Sequence, residues 1–246
     1  MNIDCAFRAD PAQRCTNCSL RSRAVCRAAS PQALRDLARQ SRHRTFAEDE
    51  IIDDGQQGLT GVVLSGALRL IRVSGDGRQQ LVGLVFPGEF VGSPFDRSSS
   101  FMLEAASDST VCVFDRAAFR DILRRNPEVE REAFESLTRH LDWLRLWMAA
   151  LGGLSIVERL AVLLLILPAR LDQQGTSDIV DMPFGRADLS ALLGARHETI
   201  SRITRRMERD GLIEILNPRR FRIRDRDMLI EASTLDPEEL AAFTRG

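Results

Sequence analysis

Four of the five cysteines in the chain have a spacing that could hold a metal. Cys15, Cys18 and Cys26 form a C-x2-C-x7-C group near the amino terminus, and Cys112 lies far downstream. Thiolates ligate zinc and iron–sulfur clusters alike, and C-x2-C spacing lets two sulfurs converge from one tight turn. The spacing alone fits structural zinc and a [4Fe–4S] cluster equally well. Cys5 precedes the group, and we interpret it as the spare cysteine.

The expected compartment favours metal over a disulfide. The first ten residues carry acids and no apolar run, which is unlike a signal peptide, and the longest apolar stretches are too short to span a bilayer. We therefore expect a cytoplasmic protein with no membrane partner. Cytosolic thiols stay reduced, so clustered cysteines there indicate metal binding.

A second group of residues has the pattern of a helix-turn-helix. Leu189, Leu192 and Leu193 are predicted to face inward from its first helix, Ser190 is small where the helices approach, and Gly194 suits a turn that needs positive φ. The second helix is predicted to bury Thr199, Ile200 and Ile203. Its other face would present His197, Glu198, Ser201, Arg202 and Arg205.

That outer face has the chemistry of DNA recognition. In the major groove Glu can accept from cytosine N4, Arg can bind guanine bidentately, and Ser can contact either partner. The stretch 186–226 holds eleven arginines against six acids, although the net charge of the chain is −1. A basic module on an acidic body indicates nucleic-acid binding; the alternative is an ordinary helix pair with solvated charges. Whether His197 contacts DNA or solvent stays open at this point.

Further basic residues are predicted to contact the DNA backbone. Arg205, Arg206 and Arg209 follow the recognition face and suit phosphates. Two apolar stretches, 212–215 and 221–223, predict a β-hairpin wing with Arg219 and Arg220 near its tip.

The helices and strands expected around the cysteine group and the helix-turn-helix indicate an α+β fold. A helix is expected at 31–41, and residues 44–115 have a β texture with an alternating strand at 61–72 and a glycine turn at 74–77. Many short strands with glycine-rich turns suggest a sandwich or barrel. The further predicted strands are 81–86, 90–91, 101–105 and 110–114.

A long helix follows, with Asn126 as its predicted N-cap and Pro127 at its first position. We expect Trp143 and Trp147 to pack on the β unit, and the helix to end or bend at 152–153. Apolar residues at 3/4 spacing predict a two-helix coiled coil and a parallel homodimer; the alternative is a buried core helix. This seam consists of Phe134, Leu137, Leu141, Leu144, Met148 and Leu151.

The carboxyl-terminal part is predicted to begin with an apolar helix at 155–171, a loop at 175–178 and a strand at 179–184. We predict four regions in all. They are a cysteine-rich segment at 1–30, a β-roll at 31–124, a dimerisation helix at 125–153, and a winged helix-turn-helix at 154–246.

Together these residues resemble the CRP/FNR superfamily of bacterial regulators, in its FNR branch. Residues 63–68 and 86–92 look like the family's sensor β-roll, a fold of the cyclic-nucleotide-binding type. Glu198, Ser201 and Arg202 match the E-x-x-S-R recognition motif. The cysteine spacing is that of FnrN/FnrL-like members.

The resemblance implies an oxygen sensor. It implies that Cys15, Cys18, Cys26 and Cys112 hold a [4Fe–4S] cluster that favours a homodimer in the absence of oxygen. Such dimers bind a TTGAT-n4-ATCAA-like palindrome and contact RNA polymerase, and oxygen abolishes DNA affinity by destroying the cluster. By the same resemblance, Glu198, Ser201 and Arg202 are base readers.

Two departures from the family pattern matter. Stretch 98–106 lacks the arginine that holds a cyclic phosphate in nucleotide-binding members, so we expect no cyclic nucleotide. The seam is wholly apolar, whereas oxygen-responsive members can carry an acid there, so we expect a tighter dimer without the cluster.

Two alternatives to the iron–sulfur sensor stay open. The cysteines could hold structural zinc in a regulator with another signal, or the chain could be a haem-based NO or CO sensor of the same superfamily. An enzyme is not expected, because the three histidines are scattered and no catalytic spacing or phosphate-cradling loop is present. His43 has no evident partner in the sequence, and His140 is predicted to flank the seam.

Overall fold

The structure is a computed structural model that describes residues 15–53, 58–92, 101–171 and 178–245. The described residues fold into two compact units; the first holds those up to Leu68 and those between Val85 and Thr138, and the second holds Arg69–Leu84 and those from Arg139 onward. The described strands are β1 Ser41–Phe46, β2 Ile51–Asp53, β3 Thr60–Ser65, β4 Leu68–Val73, β5 Gln79–Val85, β6 Phe90–Gly92, β7 Phe101–Ala105, β8 Ser109–Phe114, β9 Ile179–Asp181, β10 Ile213–Asn217 and β11 Arg220–Ile223. The described α-helices are α1 Pro31–Arg39, α2 Arg116–Arg125, α3 Pro127–Gly153, α4 Ile156–Arg170, α5 Arg186–Leu193, α6 His197–Arg209, α7 Arg226–Ser233 and α8 Pro237–Arg245.

The first unit is built around an antiparallel sheet of order β1-β8-β3-β6. Helices α1 and α2 pack on it through Leu37 and Phe119, which have no measurable exposure. The Phe119 ring stacks on Phe114 with centroids 4.8 Å apart. The same apolar cluster includes Cys15 and Cys112, so the cysteine segment is part of this core.

Several sequence predictions for this unit need correction. The strand predicted at 61–72 is two strands, because Gly66 takes a φ of +77° and turns the chain between β3 and β4. Helix α2 went unpredicted; Asp115 caps it by accepting from the Ala118 amide at 2.8 Å. The long helix begins at Pro127 as predicted, with Asn126 directly before it, and the Asn126 side-chain amide also closes α2 by donating to the Ile122 carbonyl at 2.7 Å.

The second unit holds the β4–β5 hairpin, the later part of α3 and the carboxyl-terminal elements. The turn predicted at 74–77 is confirmed, with the Ser74 amide bonded to the Arg78 carbonyl at 2.8 Å. Helix α4 is buried continuously from Leu160 to Leu167 and begins with a capping box formed by Ser155 and Glu158. The loop predicted at 175–178 lies, up to residue 177, outside the described residues.

The two tryptophans of α3 do not pack as predicted. The Trp147 indole nitrogen donates to the Leu192 carbonyl at 3.0 Å, and the Arg170 guanidinium lies 5.0 Å from the Trp143 ring centroid. This face of α3 therefore packs on carboxyl-terminal helices, whereas the sequence prediction placed it on the β unit. The physical reason is that the last carbonyls of a helix such as α5 lack helical partners, and a buried indole N–H needs an acceptor.

Candidate cofactor site and DNA-reading face

The first unit brings the four predicted cysteine ligands to one small cavity. Cys15 and Cys112 are buried, Cys18 and Cys26 are partly buried, and all four are free thiols. Cys5 lies outside the described residues. The rest of the cavity wall is mostly apolar: Arg21, Ala24, His43, Val62, Leu64 and Phe114.

Different elements carry these thiols. Cys112 lies on the central strand β8, and Cys26 lies on a 3-10 helix at Val25–Ala28 that leads into α1. The segment is tied by short-range bonds, including Arg21 N to Cys18 O at 3.1 Å and Ala24 N to Leu20 O at 2.9 Å. A rigid strand therefore faces a segment built from turns, which lets the four sulfurs converge.

The closeness of the four thiols affects the electrostatics of the cavity. Burial raises the pKa of the Cys26 thiol, the proximity of Cys112, Cys15 and Cys18 raises it further, and Arg21 acts in the opposite direction. Without a cofactor Cys26 is therefore a neutral thiol at neutral pH. A metal would have to displace its proton, so metal binding would weaken as the pH falls.

The donor set fits a four-cysteine cofactor, although the thiols would have to move to hold it. The cavity measures about 30 Å³, close to the volume of one water molecule. Among the described residues, no group of three or more His, Cys, Asp or Glu side chains has an arrangement that could hold a metal ion. Four thiols in a mostly apolar wall match the Cys₄ set of iron–sulfur clusters and of structural zinc.

The second unit contains the predicted helix-turn-helix. Helices α5 and α6 are joined at Gly194, which takes the left-handed conformation with a φ of +62° as expected. Leu189, Leu192 and Leu193 are buried as predicted. The Ser190 hydroxyl lies 3.2 Å from Nδ1 of His197, so the small residue also links the two helices.

The residues that α6 buries differ in part from those predicted. Ile200 is buried, but Thr199 and Ile203 are only half-buried, and Thr204 and Met207 are the other buried positions. Thr204 tolerates burial because its hydroxyl donates to the Ile200 carbonyl at 2.9 Å.

The outer side of α6 carries all five predicted DNA-reading residues. His197, Glu198, Arg202 and Arg205 are exposed, and Arg202 and Arg205 have no ion pair within the described residues. Sequence reasoning missed Arg186 of α5, whose Nη1 donates to the Ser201 hydroxyl at 2.9 Å.

Other arginines of this region are partly neutralised within the fold. Arg206 lies 3.5 Å from the Asp210 carboxylate, and Arg224 lies 2.6 Å from Glu214. The predicted wing is confirmed as β10 and β11, with β9 as a third strand. The unpaired charge thus concentrates on α6.

The predicted seam of α3 is largely exposed in the single chain. The exposed fraction is 71% for Phe134 and 70% for Met148, and it exceeds one third for Leu137, Leu141 and Leu151. Leu144 is half-buried. Apolar side chains at this spacing and exposure contradict a buried core helix and leave the seam available to a partner.

Comparisons with known proteins match two parts of the chain to two domain families. Residues 44–126 match the cyclic nucleotide-binding domain family, and residues 158–232 match the Crp-like helix-turn-helix domain family. The chain is 38% identical to a probable transcriptional activator of Rhizobium leguminosarum bv. viciae, over 87% of this chain and 91% of that protein. It is 34% identical to the nitrogen fixation regulation protein FixK of Bradyrhizobium diazoefficiens, over 82% and 87% of the two chains.

A third relative and one solved structure extend the comparison. The transcriptional activator protein FnrL of Cereibacter sphaeroides is 30% identical over 92% of this chain and 94% of its own. The structure of FixK2 from Bradyrhizobium japonicum superimposes with a TM-score of 0.71 at 23% identity, covering 80% of this chain and 98% of that one, which shows a shared fold. The chain belongs to the CRP/FNR family of transcriptional regulators, whose helix-turn-helix binds DNA. No helix in the described ranges is long and apolar enough to cross a membrane.

Proposed function

We propose that this chain is an oxygen-responsive transcriptional activator whose signal is a [4Fe–4S] cluster. The observation that carries the proposal is the convergence of Cys15, Cys18, Cys26 and Cys112 on one cavity of the first unit. The similarity to FnrL over nearly the whole chain supports it. When bound, the cluster would supply the oxygen-sensitive chemistry, and the chain would supply four thiolates and a mostly apolar wall.

The C-x2-C-x7-C spacing, which resembles that of FnrN/FnrL-like members, is what favours a cluster over a single zinc ion. Both cofactors would use the same four thiolates. Either one would require the thiols to move from their present positions.

The output of the proposed switch is a DNA-binding homodimer. The exposed seam of α3 would pair with a second copy as a coiled coil. Two α6 helices would then read a palindrome of the TTGAT-n4-ATCAA type, with Glu198, Ser201 and Arg202 at base edges and arginines at phosphates. We propose that the bound dimer contacts RNA polymerase.

Structural zinc is the second candidate, because the same four thiols form a Cys₄ set. Metal analysis of protein purified without oxygen separates the two candidates. Iron together with inorganic sulfide would support the proposed oxygen sensor. One equivalent of zinc without iron would contradict oxygen sensing, whereas the assignment of DNA binding would not be affected.

A further inference from the structure

His43 lies in the wall of the cysteine cavity, although the sequence gives it no evident partner. It is half-buried on β1, at the edge of the four-stranded sheet. It lines the same space as the four thiols. No sequence signal links it to the cysteines, because 69 positions separate it from Cys112.

The strand register explains this position. His43 pairs directly with Cys112 in the antiparallel β1–β8 ladder, and Val62 of β3 pairs with Cys112 on its other side. Residues paired in this way lie on the same face of a sheet, with Cβ atoms about 4.5–5.5 Å apart. The three side chains therefore form one row across the sheet, directed toward the cavity.

The chemistry of the wall makes His43 distinctive. Besides the thiols, His43 and Arg21 are the two described side chains lining the cavity that can donate a hydrogen bond, since the others are Ala, Val, Leu and Phe. Arg21 interacts electrostatically with Cys26, because its charge opposes the rise in the pKa of that thiol. The strand register instead places His43 beside Cys112.

We propose that His43 is a positioning residue for the cluster, whose ring N–H donates a hydrogen bond to the Cys112 sulfur when that sulfur is a thiolate ligand. This inference rests on the proposed function. Hydrogen bonds to ligand sulfurs stabilise the more negative, reduced state of an iron–sulfur cluster and so raise its reduction potential. His43 thereby makes the cluster harder to oxidise and sets how long it survives in air.

Two substitutions at this position test the role. His43→Phe keeps a ring but loses the donor, and His43→Gln keeps an N–H donor on a smaller side chain. Protein purified without oxygen should carry as much iron and sulfide in both variants as in the wild type. In air, the visible absorption of His43→Phe should decay about tenfold faster than that of the wild type, and the reduction potential of its cluster should be lower. For His43→Gln, both the decay rate and the potential should lie between those of His43→Phe and the wild type.

Arg44→Gln is the matched control, because Arg44 is the next residue on β1, is exposed and faces the opposite side of the sheet. It should decay at the wild-type rate. Equal decay rates and potentials for wild type and His43→Phe would overturn the inference and leave the proposed function standing. Loss of iron from His43→Phe prepared without oxygen, with unchanged thermal unfolding, would overturn it in favour of a direct ligand. Wild-type protein without iron would overturn both proposals.

Discussion

Arg27, the residue after Cys26, forms an ion pair with Glu132 of helix α3. The Arg27 guanidinium donates from Nε at 3.0 Å and from Nη2 at 2.6 Å to the same carboxylate oxygen of Glu132. The Glu132 side chain is only 5% exposed, whereas that of Arg27 is 49% exposed. One peptide bond therefore separates a predicted cluster ligand from a contact with the helix that carries the seam.

The first prediction is that this pair stabilises the first unit more than a surface pair does. Arg27→Ala should lower the free energy of unfolding by about 1–3 kcal/mol, because it removes a partner from a buried carboxylate. Arg131→Ala is the matched control, since the Arg131–Glu128 pair is as short, at 2.7 Å, but exposed on both sides. It should cost at most about 0.5 kcal/mol. Urea unfolding of the metal-free protein measures both, and equal losses would contradict the prediction.

The second prediction is that Arg27 couples the cluster to the dimer. The premise is that movement of the Cys26 segment reaches α3 through Glu132. Arg27→Ala should then bind as much iron as the wild type. Its cluster-loaded and metal-free forms should differ less in dimerisation than those of the wild type. Sedimentation of both forms without oxygen measures that difference, at concentrations below micromolar where the metal-free dimer dissociates. A wild-type difference in the variant would show that the signal reaches α3 by another route.

The third prediction concerns the apolar seam. Because no acid lies on it, the metal-free protein should sediment mainly as a dimer at micromolar concentration. Leu141→Glu should convert it to monomer, because two carboxylates would be buried against each other. Thr138→Glu places the same charge at an exposed position of α3 outside the seam and should leave the dimer intact. A metal-free wild-type monomer would refute the tight-dimer hypothesis.

The fourth prediction concerns base recognition by α6. Glu198→Ala or Arg202→Ala should each weaken binding to the cognate palindrome by roughly 1–3 kcal/mol and relax the preference at one base pair. Arg205→Ala should weaken binding to all sequences alike and reduce its salt dependence, since a phosphate contact carries no sequence information. Fluorescence anisotropy with cognate and random duplexes separates the two behaviours. Equal losses on both duplexes for Glu198→Ala would contradict base readout.

The fifth prediction assigns the cysteines. Cys18→Ser should abolish iron binding, because one of four ligands is lost, whereas Cys5→Ser should keep the iron content of the wild type. Iron analysis of both variants purified without oxygen tests this. A Cys5→Ser variant that is purified without iron would show that Cys5 is needed to hold the cluster.

Local signals in the sequence were enough for most elements and for the candidate site. Gly194 and the leucines before it predict the helix-turn-helix, and the C-x2-C group predicts thiols that converge. Contacts distant in sequence could not be predicted, because only folding brings them together. The pairing of His43 with Cys112 depends on strand register, the Arg27–Glu132 pair spans 105 positions, and the Trp147 bond depends on where α5 ends.

An absorption spectrum of the chain purified without oxygen, with iron and sulfide assays and subsequent exposure to air, tests the oxygen switch directly. We expect a brown protein with about four iron and four sulfide per chain, whose visible absorption bleaches in air. A colourless protein that holds zinc, or one whose iron and colour survive air unchanged, would contradict the proposed oxygen switch.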